Sequence, residues 1–150
     1  MNIESVIQSS LIAPCGMNCG VCRAHLRKNK PCPGCNADDR NKSPHCVNCR
    51  IKHCDSLKER QASFCIECDT FPCARLEQLD KRYRAKYAMS EIENLQTIQA
   101  VGMEAFLRQE QARWTCSHCG GVVCIHTGAC VQCGEKKMDR RVYATLPKAK

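Results

Sequence analysis

Cysteine thiols are the side chains of this sequence whose type and spacing most clearly predict chemistry. The 150 residues include sixteen cysteines, eleven of them between Cys15 and Cys73 and five between Cys116 and Cys133. Many stand as CxxC pairs beside glycine or proline. Two thiolates separated by two residues can hold one ion from a tight turn, and thiolates suit zinc and iron–sulfur clusters. The spacing therefore predicts metal binding.

The last group of cysteines gives the most specific pattern. Cys116 and Cys119 form a CxxC pair followed by glycine, and Cys130 and Cys133 form a second, with ten residues between the pairs. A glycine after each pair relieves the backbone strain of a tight turn. The pattern predicts a zinc ribbon whose site is structural, because four sulfur ligands leave no open coordination position.

The residues between these pairs suit a short hairpin, with Val122, Val123 and Ile125 on its strands. Cys124 and His126 are left over there and would share one face of a strand. A thiol beside a base can act as a nucleophile. We favour instead an interpretation in which one of the two is an alternate ligand or a packed residue.

The eleven cysteines of the first group do not divide evenly into four-cysteine sites. One predicted set repeats the spacing of the terminal pairs, and a second uses the four cysteines that follow it. The three cysteines that remain, at the start of the group, gain a histidine one helical turn after Cys22 as the fourth ligand. These sets are, respectively, Cys32, Cys35, Cys46 and Cys49; Cys54, Cys65, Cys68 and Cys73; and Cys15, Cys19, Cys22 and His25. His45 or His53 could replace His25, and cross-braced pairings fit the spacing equally well.

The triplet Cys15, Cys19 and Cys22 has the CxxxCxxC spacing by which radical S-adenosylmethionine enzymes hold a [4Fe–4S] cluster. The alternating βα pattern of such enzymes is missing from the sequence, so we do not favour radical chemistry. The main alternative to about three or four zinc ions is an iron–sulfur or redox protein with one [4Fe–4S] cluster in the N-terminal module, centred on this triplet, because all-cysteine ligation suits both metals.

The charge of the chain is basic only while the cysteines are counted as neutral. The formal net charge is +8, and sixteen thiolates on four divalent zinc ions would cancel it. Local basic runs remain, which we interpret as solvated faces. They are residues 23–30, residues 81–86, and a tail with Lys136, Lys137, Arg140 and Arg141. Nucleic-acid binding through the ribbon and this tail is a second alternative.

The start of the sequence lacks the basic region and the unbroken apolar run of a signal peptide. No apolar stretch approaches the roughly 20 residues that span a bilayer. We therefore expect a cytoplasmic protein without a membrane segment. Its thiols would stay reduced there and free to bind metal.

Three segments must position these ligands. Residues 1–73 form a cysteine-rich metal-binding module, residues 74–113 carry the helical signal, and residues 114–150 form the zinc ribbon with its basic tail. Only 5% of the residues are aromatic, so metal binding would have to supply part of the folding free energy. We expect a small metal-stabilised α+β protein, mostly α, with zinc knuckles, a helical middle and a C-terminal zinc-ribbon hairpin.

Local signals define the helices of the middle segment. Ser90 and Glu93 form a capping box that begins a helix, Gly102 suits a left-handed cap at its end, and a further helix runs to about Arg113. Glutamate and glutamine on the opposite faces are interpreted as solvent-exposed. Apolar faces are predicted at Ile3, Val6, Ile7 and Leu11 in a leader; at Leu76, Leu79, Tyr83 and Tyr87; at Ile92, Leu95, Ile98 and Val101; and at Phe106, Leu107 and Trp114.

Several stretches resemble domain of unknown function 3795, a family of small cysteine-rich prokaryotic proteins. They are APCGMNCGVCRAH, CPGC, CRIKHC, FCIECDTFPCARL, SEIENLQTIQAVGMEAFL and WTCSHCGG. The resemblance covers nearly the whole chain. It implies a cysteine-rich, metal-binding, cytoplasmic protein, and it does not imply any particular activity.

No enzyme class gains positive support from the sequence. It has no glycine-rich phosphate loop, no HExxH motif and no paired carboxylates beside a histidine. We expect a zinc-binding protein whose metal sites are mainly structural and which acts as a binding or adaptor module for a protein partner.

Overall fold

The computed structural model describes residues 7–136. The predicted leader residues Ile3 and Val6, and most of the basic tail, lie outside this range. The α-helices within it are α1 (Arg23–Leu26), α2 (Pro44–Val47), α3 (Asp55–Glu59), α4 (Ala74–Tyr87), α5 (Glu91–Val101) and α6 (Met103–Arg113). Single turns of 3-10 helix occur at Ser9–Leu11, Cys19–Val21 and Cys65–Glu67. No helix in this part of the chain combines the length and apolar character needed to cross a membrane.

The protein is mostly helical, as predicted, but residues 7–136 form no β-sheet. Antiparallel pairing is limited to isolated bridges, which include Thr115 with Val122 and Val123 with Cys130. The predicted hairpin is therefore not confirmed as a pair of strands: Val122 and Val123 make single bridges, and Ile125 lies in a turn. Tight turns reverse the chain every few residues in this segment, so each paired stretch is long enough for only a single bridge. Val123 and Ile125 are still buried.

Helices α4, α5 and α6 begin and end where local signals favour it. The backbone N–H of Glu93 donates to Ser90 Oγ at 3.1 Å, which caps the start of α5. Gly102 joins α5 to α6 with φ 87° and ψ 161°. Its positive φ is the glycine-favouring kind that the sequence predicted, although its ψ lies outside the left-handed helical region.

One hydrophobic core runs through all three predicted segments. It joins Ile12 and Val21 from the first segment with Leu76 and Leu95 from the helices and Trp114 from the last. The predicted faces mostly point into this core, with Tyr83, Tyr87, Ile98 and Leu107 at its edge. Val101 is 48% exposed, so the apolar face of α5 is shorter than predicted.

The described start of the chain differs from the predicted helical leader. Only Ser9–Leu11 is helical, as one 3-10 turn. Ile7, Leu11 and Ile12 are all buried in the core. The extended residues on either side let Ile12 turn inward together with Leu11, which a single helical face would not allow.

Three charged side chains predicted to face solvent are instead buried. Glu91, Glu110 and Arg84 are 0%, 3% and 7% exposed, respectively. Glu110 accepts hydrogen bonds from Asn18 Nδ2 at 3.3 Å and from Trp114 Nε1 at 3.2 Å. Its carboxylate therefore has a structural role inside the core, because a buried carboxylate needs such donors.

Asp80 connects α4 to the start of α5. Its buried carboxylate accepts from the Ser90 hydroxyl, from the Ile92 backbone N–H at 3.0 Å and from Arg84 Nε at 3.1 Å. Arg84 also pairs with Glu93 at 2.9 Å. This network fixes the turn between the two helices, since each buried polar group finds a partner in it.

Replacement of Asp80 by alanine is expected to lower the free energy of unfolding by about 3 kcal/mol, because it strips several buried donors of their acceptor. Guanidinium unfolding of the metal-loaded protein measures the change. Glu77→Ala, on the exposed side of the same helix, is the matched control and should stay within about 0.5 kcal/mol of the parent. Equal losses in both variants would contradict the role given to Asp80.

Glu91 should make stability depend on pH. Burial raises the pKa of Glu91 to about 9, and among the described residues neither carboxylate oxygen has a hydrogen-bond partner. The folded state therefore keeps this proton up to about pH 9, whereas the unfolded state loses it near the ordinary pKa. Stability is thus lost as pH rises between these values, by up to about 1.4 kcal/mol per pH unit.

The variant Glu91→Gln removes this titration. Its free energy of unfolding, relative to the parent protein, should rise between pH 6 and pH 8. Exposed Glu77→Gln provides the control and should follow the parent at both pH values. Parallel pH profiles for Glu91→Gln and the parent would show that Glu91 does not carry a raised pKa.

Candidate metal centre

The four terminal cysteines meet at one point. The sulfur atoms of Cys116, Cys119, Cys130 and Cys133 all lie within 4.8 Å of one another. Cys116 Sγ lies 3.6 Å from Cys133 Sγ, and Cys119 Sγ lies 3.5 Å from Cys130 Sγ. A tetrahedral zinc ion with bonds of about 2.3 Å to sulfur would hold its ligands about 3.8 Å apart. This group can therefore bind a single metal ion.

Two matching turns bring these sulfurs together. In the first, the N–H of Gly120 donates to the carbonyl oxygen of Cys116 at 2.8 Å; in the second, Gly134 donates to Cys130 at 2.9 Å. The two glycines have φ of 80° and 79°, which explains why glycine follows each CxxC pair. We call each such turn, from its first cysteine to its glycine, a knuckle.

Backbone N–H groups also point at the sulfurs. Gly121 donates to Cys119 Sγ and Gln132 donates to Cys130 Sγ, both at 3.4 Å. The N–H of Cys133, followed by that of Gln132, helps to lower the pKa of Cys130 to about 6. Such hydrogen bonds favour the thiolate form, which is the form that binds metal.

Cys133, in contrast, has a pKa that favours the protonated thiol. The N–H of Glu135 lowers the pKa of Cys133, but desolvation and its three thiol neighbours together raise it to about 12. Thiolates packed this closely repel one another, and a dication removes that repulsion. Metal binding at this group must therefore release protons, and acid must weaken it.

The stretch Cys124–Gly128 forms a third knuckle that the sequence interpretation missed. Gly128 N–H donates to the Cys124 carbonyl at 2.8 Å, and Cys124 N–H donates to Ala129 at 3.0 Å, the pattern seen in the other two knuckles. Thr127 stands where the second cysteine would be. The signal lay in the aligned segments CSHCG, CIHTG and CVQCG, which share a cysteine and a glycine four residues apart.

This third knuckle contacts the rest of the protein. Ile125 N–H donates to the Val21 carbonyl at 2.9 Å, and Arg23 N–H donates to His126 Nδ1 at 3.1 Å. The His126 ring also lies edge-on to Tyr87, with ring centres 4.8 Å apart. The prediction that Cys124 and His126 lie on a strand is wrong. Cys124 is packed in the interior and only 2% exposed.

The eleven N-terminal cysteines do not form a comparably compact group. Within residues 7–136, the terminal four are the only set of three or more cysteine, histidine or acidic residues whose ligand atoms meet the same 4.8 Å limit. All sixteen cysteines lack disulfide bonds. The three predicted N-terminal ligand sets therefore stay predictions, and their surroundings differ.

One N-terminal set shares a cavity. Cys54, Cys65, Cys68 and Cys73 all line a space of about 310 Å³ beside the start of α4. Burial, and after it the charges of Cys73, Cys54 and Cys68, raise the pKa of Cys65 to about 12. The four thiols thus face a common interior.

The other seven cysteines influence each other across the boundaries of the predicted sets. Burial raises the pKa of Cys19 to about 12, and the charges of Cys35, Cys22 and Cys32 also act on Cys19. Cys22 in turn has Cys46 among its electrostatic neighbours. These seven cysteines therefore lie in a thiol-rich region where charges act across the predicted sets, and Cys49 also acts on Cys65 of the cavity set. This is compatible with the cross-braced alternatives as well as with the separate sets.

Two further side chains border this region. Burial, followed by the charge of Glu91, raises the pKa of Cys15 well above its usual range. His25 Nδ1 donates to the Cys32 carbonyl at 2.7 Å, which leaves Nε2 as the acceptor. A metal-binding histidine usually has this arrangement, so His25 keeps the chemistry that its predicted role requires.

Comparison with known proteins gives one result. Residues 11–78 match the family model described as "Protein of unknown function (DUF3795)". No curated protein and no solved structure matches the chain. The matched span contains all eleven N-terminal cysteines and ends within α4, so the compact terminal group lies beyond it. The resemblance predicted from the cysteine motifs is confirmed over residues 11–78.

Proposed function

We propose that the terminal four-cysteine group binds one zinc ion and that this ion is structural. The observation that carries the proposal is the close approach of four sulfurs from two matching knuckles, at distances near those of a zinc tetrathiolate. Four thiolates complete the tetrahedron, so no position remains for a substrate or a reactive water.

The position of the group in the fold supports a structural role. Cys116 and Cys130 are buried, with exposed fractions of 4% and 3%, and Trp114 at the start of the module is only 1% exposed. The third knuckle lies between the two that carry the ligands, and it contacts both the first segment and α4. An ion that fixes the outer knuckles would therefore fix the knuckle that docks onto the helices.

Further zinc ions in the N-terminal module are part of the same proposal, for a total of about three. Two ligand sets stay open for them: Cys32, Cys35, Cys46 and Cys49, and Cys15, Cys19 and Cys22 with His25. The electrostatic coupling of Cys35 to Cys49 and Cys46 supports the first set. The free Nε2 of His25 supports the second.

As the role of the whole protein, we propose a cytoplasmic binding or adaptor module for a protein partner. A groove of about 1130 Å³ between residues 7–9, α6 and the first knuckle supports this role, with Leu107 and Ala112 among its lining residues. Nucleic-acid binding is the competing role. Fluorescence anisotropy with DNA and RNA should show no affinity that falls steeply with salt, and such a salt dependence would favour the competing role.

Removal of the terminal zinc should be visible through Trp114, the single tryptophan of the chain. Cys119→Ser removes one ligand, so we expect the zinc content to fall by one ion per chain and the Trp114 emission to shift to the red as the module opens. Far-UV circular dichroism should retain the signal of α4, α5 and α6, because their packing does not use this ion.

Ser117→Ala changes an exposed residue of the same knuckle and is the matched control. It should retain both the zinc and the emission of the parent protein. Acidification should release the ion from the parent in the same way, since protons compete for the thiolates. A Cys119→Ser protein with unchanged zinc content and unchanged emission would refute the proposed site.

A further inference from the structure

The cavity at the start of α4 is lined by four cysteines from three separate pieces of chain. Cys54 precedes α3, Cys65 and Cys68 belong to the 3-10 turn and its end, and Cys73 is the N-cap of α4. All four line the same space of about 310 Å³. Cysteines from three elements of the chain thus line a single, partly open cavity.

The spread of these sulfurs distinguishes the cavity from the terminal group. Among the described residues, no three of the four cavity cysteines have sulfurs that all lie within 4.8 Å of one another. A single tetrahedral zinc ion needs all four within about 3.8 Å. A cluster of several irons accepts a wider arrangement, because each thiolate binds a different iron and the cluster fills the space between them.

The walls of the cavity suit a cluster. Buried Leu57 and Leu76 line it together with half-buried Phe71, so much of the lining is apolar. Thr70 Oγ1 lies 3.2 Å from Cys68 Sγ and can donate to that sulfur. Hydrogen bonds to the ligating sulfurs and limited solvent access are the features by which proteins adjust iron–sulfur clusters.

The charge of the surroundings also matches. Four thiolates make an iron–sulfur centre anionic, and the fourteen-residue helix α4 begins at the cavity with its free N–H groups. Arg75, in the first turn of α4, lines the same space. The helix start and this arginine both favour a negative group there.

We propose that Cys54, Cys65, Cys68 and Cys73 bind an iron–sulfur cluster, while the terminal knuckles bind zinc. This places the cluster away from the CxxxCxxC triplet at Cys15. The terminal zinc and the proposed cluster differ in geometry: compact sulfurs for one ion, and sulfurs that line a shared cavity for several irons. The inference does not depend on the terminal zinc site, since the two sites share no ligand.

The test is metal and sulfide analysis of the full chain purified without oxygen. The parent protein should be brown and contain iron and acid-labile sulfide in equal amounts, in addition to zinc. The double variant Cys65→Ala/Cys68→Ala should lose at least nine-tenths of the iron and sulfide and keep its terminal zinc. Cys124→Ala, which changes a cysteine outside every ligand set, should retain both metals.

A single variant provides a milder test if the double variant does not fold. Cys68 lies at the half-buried edge of the cavity, so Cys68→Ser should preserve the fold and replace one sulfur ligand by oxygen, which changes the visible and electron paramagnetic resonance spectra. An unchanged spectrum would overturn the proposal. So would a colourless parent protein, or a brown colour that survives in Cys65→Ala/Cys68→Ala and disappears in Cys19→Ala/Cys22→Ala.

Discussion

The buried carboxylate of Glu110 is the contact on which the assembly of the whole protein depends. It accepts one hydrogen bond from Asn18 in the first segment and one from Trp114 at the start of the last. Burial raises the pKa of Glu110, so its pairing with these donors offsets a cost that an exposed residue would not have. Through this side chain, α6 holds the cysteine-rich module and the knuckles against the same core.

Two kinds of cysteine environment follow from this assembly. In the terminal module the ligands come from two local turns, so a few backbone hydrogen bonds are enough to bring four sulfurs to one point. In the N-terminal module the thiols are spread over several short helical turns and meet only because the core folds those turns together. Thiols of the first kind suit one ion, whereas those that surround a cavity can hold a larger centre.

Local patterns predicted α4, α5, α6 and the terminal ligands because each signal acts over a few residues. The Ser90 cap, Gly102 and the paired CxxC motifs belong to this class. Burial of Glu91, Glu110 and Arg84 could not be predicted in the same way, since each depends on partners or packing from other elements. The third knuckle is an intermediate case. Its Cys124 to Gly128 spacing was visible, but the missing second cysteine concealed the repeat.

The order of the amino acids was enough to establish that this is a cysteine-rich chain, to locate its long helices and to identify the four cysteines that form a group able to bind a metal ion. These conclusions depend on the spacing of residues along the chain, which can be determined without knowledge of the fold. Which of the eleven N-terminal thiols face a common cavity, and which charges are buried beside them, was decided by tertiary packing. Residues such as Cys54 and Cys73 line one cavity only when α3, the 3-10 turn and α4 pack together. Short-range patterns carry no information about such contacts.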